Sequence, residues 1–372
     1  MTRKHICGVL ALTALAWALD SAQKPYHGPG VRSRSYDAPG RDEPEPVGLK
    51  EVDIAFFGPA DGNQIWQGAI LAIEEANRQG GYRDLPFRLI PAWAQNPWAG
   101  GVATLIRVVY TQKVWAIIGG IDGATTHLAE QVVPKALLTL INPTATDRSI
   151  HTAYVPWTFS CVPGDNVLAP LISGELKIRA TPFALVSGTD HDSRAFLSQL
   201  EHAFAQDKLA PTLHLESSSA MATEDIGSRL AASGVKVAVI IAAESGTSLI
   251  KTARGGGYSG LILAGPWIAR AQPDPALDGV LYPALGEIQP DFRERFVSRY
   301  SKEPDYTAAH GYDAATILVA AIRKAGLNRA RIRDAVQALS PFHGITGTIE
   351  WDDLGQNQRP VRLVRFGPSP PR

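Results

Sequence analysis

Cysteine is almost missing: 372 residues carry two, Cys7 and Cys161. That excludes a disulfide-stapled scaffold and a thiolate-clustered zinc or iron–sulfur centre, both of which need several thiolates together. An excess charge of either sign is missing too, with 36 Lys and Arg against 36 Asp and Glu. Without a basic surplus there is no electrostatic ground for a nucleic-acid partner or an anionic membrane surface. Catalytic signatures are equally scarce. The chain has no G-x-S-x-G, no H-E-x-x-H and no G-x-x-x-x-G-K-[ST]. Ser248-Leu249-Ile250-Lys251 fits S-x-x-K but lacks the companion motifs of that chemistry, and Gly255-Gly256-Gly257 follows a helical stretch instead of a strand. Cys161 reads as packed core, not as a nucleophile. The expectation is a protein that is not an enzyme and needs neither cofactor nor metal.

Long apolar runs are also absent, apart from Ile6 to Leu19. Its 14 residues fall short of the roughly 18 to 20 that span a bilayer. Arg3, Lys4 and His5 precede it and small residues follow at Ala16, Ala18, Ser21 and Ala22, the order of a secretory signal peptide over 1–22. Cys7 lies at the start of the run, where a lipid-modified cysteine would follow it. The expected location is periplasmic or secreted, with Cys161 left alone in the mature chain. From Gln23 to Gly48 proline, glycine and charge replace any apolar period, which predicts a flexible linker.

What is present is a globular composition, 45% hydrophobic and 19% charged, with length for two domains of roughly 150 residues each. VDIAFF at 52–57 predicts a strand, and Ile65, Ala69, Ala72, Ile73 and Ala76 recur at helical spacing after it. A strand near 87–90, a helix around 102–110 and a strand at 114–118 repeat the unit. Val114 to Ile118 is apolar without alternation, as a parallel strand covered on both faces must be. A helix follows at 127–133 and a strand at 137–141. The pattern restarts after Cys161, with helices at 167–176, 193–204 and 247–253 between strands at 183–187, 237–242 and 261–265. Helices around 292–300 and 307–325 precede an extended ending. This alternation predicts an α/β fold of two doubly wound parallel-sheet lobes.

Ligands of such sheets bind beyond the carboxyl ends of the strands. A helix N-terminus there presents unpaired N–H groups and a partial positive charge. The stretch Asp122, Gly123, Ala124, Thr125 and Thr126 is therefore a candidate holder of a ligand carboxylate, joined by Thr144, Ala145 and Thr146 from the next strand end. A threonine opening a helix is more often simply its cap. In the second lobe Glu244, and the cluster Asp190, His191 and Asp192, are candidate acceptors for a ligand ammonium group, against the alternative of solvated loop charge. Three consecutive side chains in one turn rarely converge on one ion, so the cluster is not read as a metal site.

The order of elements, with GAILAIEEANRQGG at 68–81, KVWAIIGG at 113–120, INPTATD at 141–147, TAAHGYDAATILVAAIRKAG at 307–326 and GITGTIEWDDLGQ at 344–356, resembles the type I periplasmic binding proteins, in the branched-chain amino-acid (Leu/Ile/Val) binding family of ABC-transporter solute receptors. The resemblance implies two lobes joined by three crossovers, near Cys161–Asn166, Leu281–Glu287 and Gly347–Asp353. It implies lobe 1 at 49–163 plus 286–346 and lobe 2 at 164–285 plus 347–372. It further implies a monomer that captures a small-molecule ligand by hinge closure and delivers it to an ABC permease in the inner membrane. A ligand sensor signalling to a membrane or dehydrogenase partner is the alternative. The family's aromatic wall in the loop after the first strand is missing from the short stretch Pro59 to Trp66, and Trp66 is its candidate replacement. The family's carboxylate-binding serine corresponds to Gly123. The expected ligand is accordingly an amino acid, amide or short organic acid more polar than leucine.

Overall fold

The computed structural model describes residues 40–217 and 223–367. The expected signal peptide, Cys7 and the first part of the expected linker lie outside them. In chain order the elements are β1 (Val52–Phe57), α1 (Gln64–Arg78), β2 (Phe87–Pro91), α2 (Val102–Arg107), β3 (Ala116–Gly119), α3 (Gly123–Glu130), α4 (Val133–Ala136), β4 (Thr139–Asn142), α5 (Ser149–Thr152) and β5 (Thr158–Ser160). A second series follows: α6 (Asp165–Arg179), β6 (Phe183–Gly188), α7 (His191–Asp207), β7 (Leu213–Ser217), α8 (Thr223–Ala232), β8 (Val237–Ile241), α9 (Gly246–Gly255), β9 (Leu261–Ala264) and β10 (Leu281–Pro283). The chain ends with α10 (Pro290–Tyr300), α11 (Tyr306–Ala325), α12 (Arg329–Gln337), a hairpin of β11 (Phe342–Gly344) and β12 (Gly347–Ile349), and β13 (Leu363–Arg365).

Two sheets share one topology. The first runs β2-β1-β3-β4-β5, all parallel; the second runs β7-β6-β8-β9-β10 in parallel and adds β13 antiparallel at its edge. Strand alternation assigns each face its own core. Val52, Ile54 and Phe56 pack toward α1 and α11, while Ala55 and Phe57 pack with Leu105, Val109 and Leu128 on the opposite face. In the second sheet Phe183, Leu185, Val237 and Val239 take one face, and Ala184, Val186, Ala238 and Ile240 the other. Strands that bury apolar side chains on both faces fit only between two helical layers. Both lobes are therefore doubly wound, as the sequence pattern implies.

The chain passes between the sheets at 161–164, at 284–289 and across 352–362. Residues 347–372, expected wholly in the second lobe, divide among the described ones. Ile349 and Trp351 join the first sheet's core, with Trp351 Nε1 donating to Ser160 O at 2.8 Å, whereas Val361 and Leu363 pack on the second. Cys161 is a free, fully buried thiol beside this passage. No helix among the described residues is long and apolar enough to cross a membrane.

Residues 40–48 depart from the expected flexible linker. They are docked on the first lobe: Asn328 Nδ2 donates to Gly40 O at 2.9 Å and Arg41 O at 3.1 Å, Tyr82 Oη donates to Glu45 Oε2 at 2.6 Å, and Arg41 pairs with Asp334. The expected extended ending also contains α12. Four charged residues among its nine mask an apolar stripe of Ile332, Ala335 and Val336. Arg329 and Arg333 turn inward, onto Val114 O and Ala136 O and onto Pro156 O, where buried carbonyls satisfy them. β7 was not expected either; it is a half-exposed edge strand, and LHLES offers little apolar signal.

Two histidines at the seam are buried neutral. His151 Nδ1 donates to Leu354 O at 3.0 Å and Nε2 accepts from Ser160 Oγ at 2.6 Å. His310 Nδ1 donates to Tyr306 O at 2.7 Å and Nε2 accepts from Arg359 Nη2 at 3.2 Å. Burial pushes His151 down to about 4; burial and the Arg359 charge push His310 down to about 3. The unfolded chain binds protons at these sites near pH 6.5, well above the folded chain. Their contribution to stability is therefore complete above that pH and lost as pH falls toward 4. Thermal denaturation against pH should show a melting temperature falling steeply below pH 6.5, with a shallower fall in His151→Gln; identical profiles would remove His151 as a source.

Candidate functional site

The carboxyl ends of both sheets face each other. At the end of β3, Asp122 caps α3: its Oδ1 accepts from Thr125 N at 2.7 Å and from Thr125 Oγ1 at 2.6 Å. Thr126 Oγ1 donates to Asp122 O at 2.7 Å. Both hydroxyls are thus committed to the cap, the commoner role of threonine there. The neighbouring loop is committed likewise. Asn142 brackets Ala145 through Oδ1 (2.9 Å to N) and Nδ2 (2.8 Å to O), and Thr144 Oγ1 donates to Ile121 O at 3.1 Å. Thr146 bonds to Asp165, whose carboxyl is pushed well up by burial. Ala124 is half-buried in the first turn of α3.

Across the interface Asp190 caps α7, accepting from Ser193 N at 2.9 Å and Ser193 Oγ at 2.5 Å. Asp192 reaches the first lobe. Gly123 N, the donor expected to take a ligand carboxylate, donates to Asp192 Oδ1 at 2.9 Å. A Cβ on residue 123 would lie 2.7 Å from that oxygen, so glycine is what allows the approach. Burial, then the charge of Asp122, pushes Asp192 up to about 6, with the Gly123 N–H opposing. His191 Nε2 lies 2.8 Å from Asp147 Oδ2, which also faces His127 Nε2 at 3.2 Å. Hydrogen bonds to Asp147 and Glu130 hold His127 up to about 9 against its burial. Burial pushes Asp147 up, but bonds from His127, Ser149 and His191 outweigh it and hold the carboxyl far below its usual range.

The structure therefore brings Asp122, Gly123, His191 and Asp192 together, and adds His127 and Asp147, which the sequence reading did not single out. It does not bring in Glu244, which is exposed in the turn after β8. Trp66 packs edge-on against Phe56, with ring centroids 5.3 Å apart, at the border of the first core.

Beside this contact lies a recess of 330 Å³ between the lobes. Asn63, Asp122, Asp305 and Thr307 line it from the first lobe, Arg270 and Gln272 from the loop after β9. Arg270 is accessible to solvent yet hemmed in by protein, the condition of a side chain inside an open cleft. Its Nε donates to Tyr306 Oη at 3.0 Å and its guanidinium stacks 5.5 Å from the centroid of that ring. Burial acts against its charge, but Tyr306, Asp305 and Asp192 raise its pKa overall. Neither Nη atom has a protein partner among the described residues. Asp305 caps α11 through Oδ1 alone, accepting from Thr307 N at 2.8 Å. The other oxygens of Asp122 and Asp305 have no described partner.

Arg270, Asp305 and Asn63 were missed by sequence reading. The available signal was position: Arg270 follows the apolar strand LILA at its carboxyl end, and Asn63 occupies the same place after β1.

A family model described as periplasmic binding protein matches residues 56–369. No curated protein matches the sequence. Among solved structures, an ABC-transporter substrate-binding protein from Desulfitobacterium hafniense in complex with Leu superposes with a TM-score of 0.74 at 20% identity, over 85% of this chain and 98% of that one. The branched-chain amino acid transporter substrate-binding protein LivJ from Streptococcus pneumoniae, in complex with isoleucine, gives 0.73 at 18% identity, over 85% and 100%. A solute-binding protein of an ABC transporter from R. palustris, in complex with benzoate, gives 0.73 at 14% identity, over 85% and 93%. At these identities the likeness is one of fold.

Proposed function

The chain belongs to the periplasmic binding protein family, and from that premise we propose that it is the extracytoplasmic solute receptor of an ABC importer. It captures a small ligand carrying a carboxylate and an amino or hydroxyl group in the recess between its lobes, and hands it unchanged to a permease. The observation that carries this reading is Arg270, a guanidinium inside the inter-lobe recess with both Nη atoms unpartnered among the described residues. Its planar fork matches a carboxylate in two parallel bonds. The second oxygens of Asp122 and Asp305 supply acceptors for an ammonium or hydroxyl on the same molecule. The 330 Å³ volume lies at the small end of ligand sites, which favours a single amino acid or hydroxy acid over a peptide.

In this reading the Gly123 N–H does not hold the ligand carboxylate, because Asp192 already occupies it. Asp192 instead bridges the lobes, and its charge helps hold Arg270 in its charged form. A ligand bound to residues of both lobes stabilises the closed arrangement by its differential affinity for that arrangement.

The test is a thermal-shift screen of the purified protein against amino acids, hydroxy acids, dicarboxylates, uncharged sugars and amines. The expected result is a rise in melting temperature with at least one carboxylate ligand and none with the sugars. A response confined to uncharged sugars or simple amines would overturn the assignment.

A further inference from the structure

We propose that His127, Asp147 and His191 form a binding site for one divalent cation of the zinc class, which ties the two lobes together. The Nε2 atoms of both histidines converge on a single oxygen, Asp147 Oδ2, at 3.2 and 2.8 Å, and the three ligand atoms lie within 4.8 Å of one another. Tetrahedral bonds of about 2.0 to 2.1 Å place ligand atoms roughly 3.3 Å apart, so small side-chain rotations admit the ion. Two imidazoles and one carboxylate suit zinc, nickel or copper and not magnesium or calcium, which take oxygen donors. A fourth position remains for water or for Ser149 Oγ, 2.8 Å from His127 Nε2.

The surroundings are those of a built site. Glu130 Oε2 lies 3.0 Å from His127 Nδ1. Its carboxylate anchors the proton on Nδ1, so a metal takes Nε2 by displacing the proton shared with Asp147, the usual partnership of ligating histidines. Asp147 Oδ1 accepts from Ser149 N at 2.8 Å and Ser149 Oγ at 2.7 Å, which orients the carboxylate and turns Oδ2 toward the two histidines. An open groove lined by Asp147, Ser149 and His191 provides the way in.

The ligands come from both lobes: His127 on α3 and Asp147 after β4 belong to the first, His191 opens α7 in the second. Separated lobes offer the cation two ligands, apposed lobes three. Cation and solute then favour the same closed state, and linkage requires each to raise the affinity of the other by the same factor. Arg270 is not among the cation's ligands, so the site stands independently of the solute assignment.

The test uses the full chain without an affinity tag, stripped with a chelator and titrated with Zn²⁺ by calorimetry, with Co²⁺ absorption in parallel. Expected are one equivalent bound, a tetrahedral Co²⁺ spectrum displaced by Zn²⁺, and compaction on Zn²⁺ addition in small-angle X-ray scattering. His191→Ala, on the half-exposed first turn of α7, should weaken Zn²⁺ binding about a hundredfold and abolish the compaction. His127→Ala should do the same, and Arg270→Ala should leave Zn²⁺ binding unchanged. No stoichiometric uptake, or uptake that survives both histidine substitutions, would overturn the proposal.

Discussion

Arg270→Ala is expected to abolish the ligand-induced rise in melting temperature while leaving the unliganded protein folded. The wild-type guanidinium places two Nη groups without a partner among the described residues in the recess and is held there by its Nε bond and stacking on Tyr306. A charge-assisted bond of that kind, partly shielded from water, contributes about 3 kcal/mol, roughly a hundredfold in affinity. Removal also takes away the guanidinium that faces Asp305 and Asp192 and leaves Lys302 as the remaining cation of the recess lining, so an anionic ligand meets a more negative site. Arg270→Lys should recover only part of the loss, because an ammonium point charge cannot reproduce the two parallel bonds. Tyr306→Phe separates binding from positioning: it keeps the stacking surface and removes the hydroxyl, and should weaken the same ligand modestly. Isothermal titration with whichever carboxylate raises the melting temperature measures all three. Undiminished affinity in Arg270→Ala would move the ligand elsewhere and leave the recess without a role.

The division between what the sequence discloses and what it hides follows the physics of each signal. Apolar strands such as VDIAFF and VAVII announce themselves because they are covered on both faces, and their order is enough to imply two matching lobes. The helix at Gly123 is legible because a strand, a glycine turn and a cap occur in sequence. Elements held by buried charge are not legible. α12 places Arg329 and Arg333 on carbonyls that come from other parts of the chain, so its polar composition reads as exposed. The recess is hidden for a related reason. Arg270, Asp122 and Asp305 are 148 and 183 residues apart at their nearest and farthest pairs with Asp122, and only the facing of two sheets makes them neighbours. Glu244 shows the converse: a carboxylate at the correct end of a strand whose side chain remains in solvent.

Gly311→Ala should be among the most destabilising single-methyl additions in the chain, because α1 and α11 cross through glycine. A Cβ at Gly311 would lie 2.2 Å from Ile65 O, and one at Gly68 would lie 1.8 Å from Ala308 O. Both neighbours are backbone, so no side-chain rotation relieves the overlap, and the helices must separate. That separation strips contacts from the shared core of Ile65, Ala69, Ala72 and Ala76 with Ala314, Ala315 and Leu318. Overpacking of this kind costs about 3 kcal/mol or more. Gly174→Ala is the matched control. It sits inside α6 with open space where its Cβ would go, so helix propensity alone should make it neutral or more stable by about 0.5 to 1 kcal/mol. Urea denaturation of the three proteins decides the matter. In the proposed reading the crossing also positions the recess, since the N-terminus of α11 brings Asp305 and Thr307 to it and the N-terminus of α1 brings Asn63. Spreading the helices shifts these groups relative to Arg270. Gly311→Ala should therefore lose solute affinity along with stability, whereas equal midpoints for Gly311→Ala and Gly174→Ala would show that the helices can part at no cost.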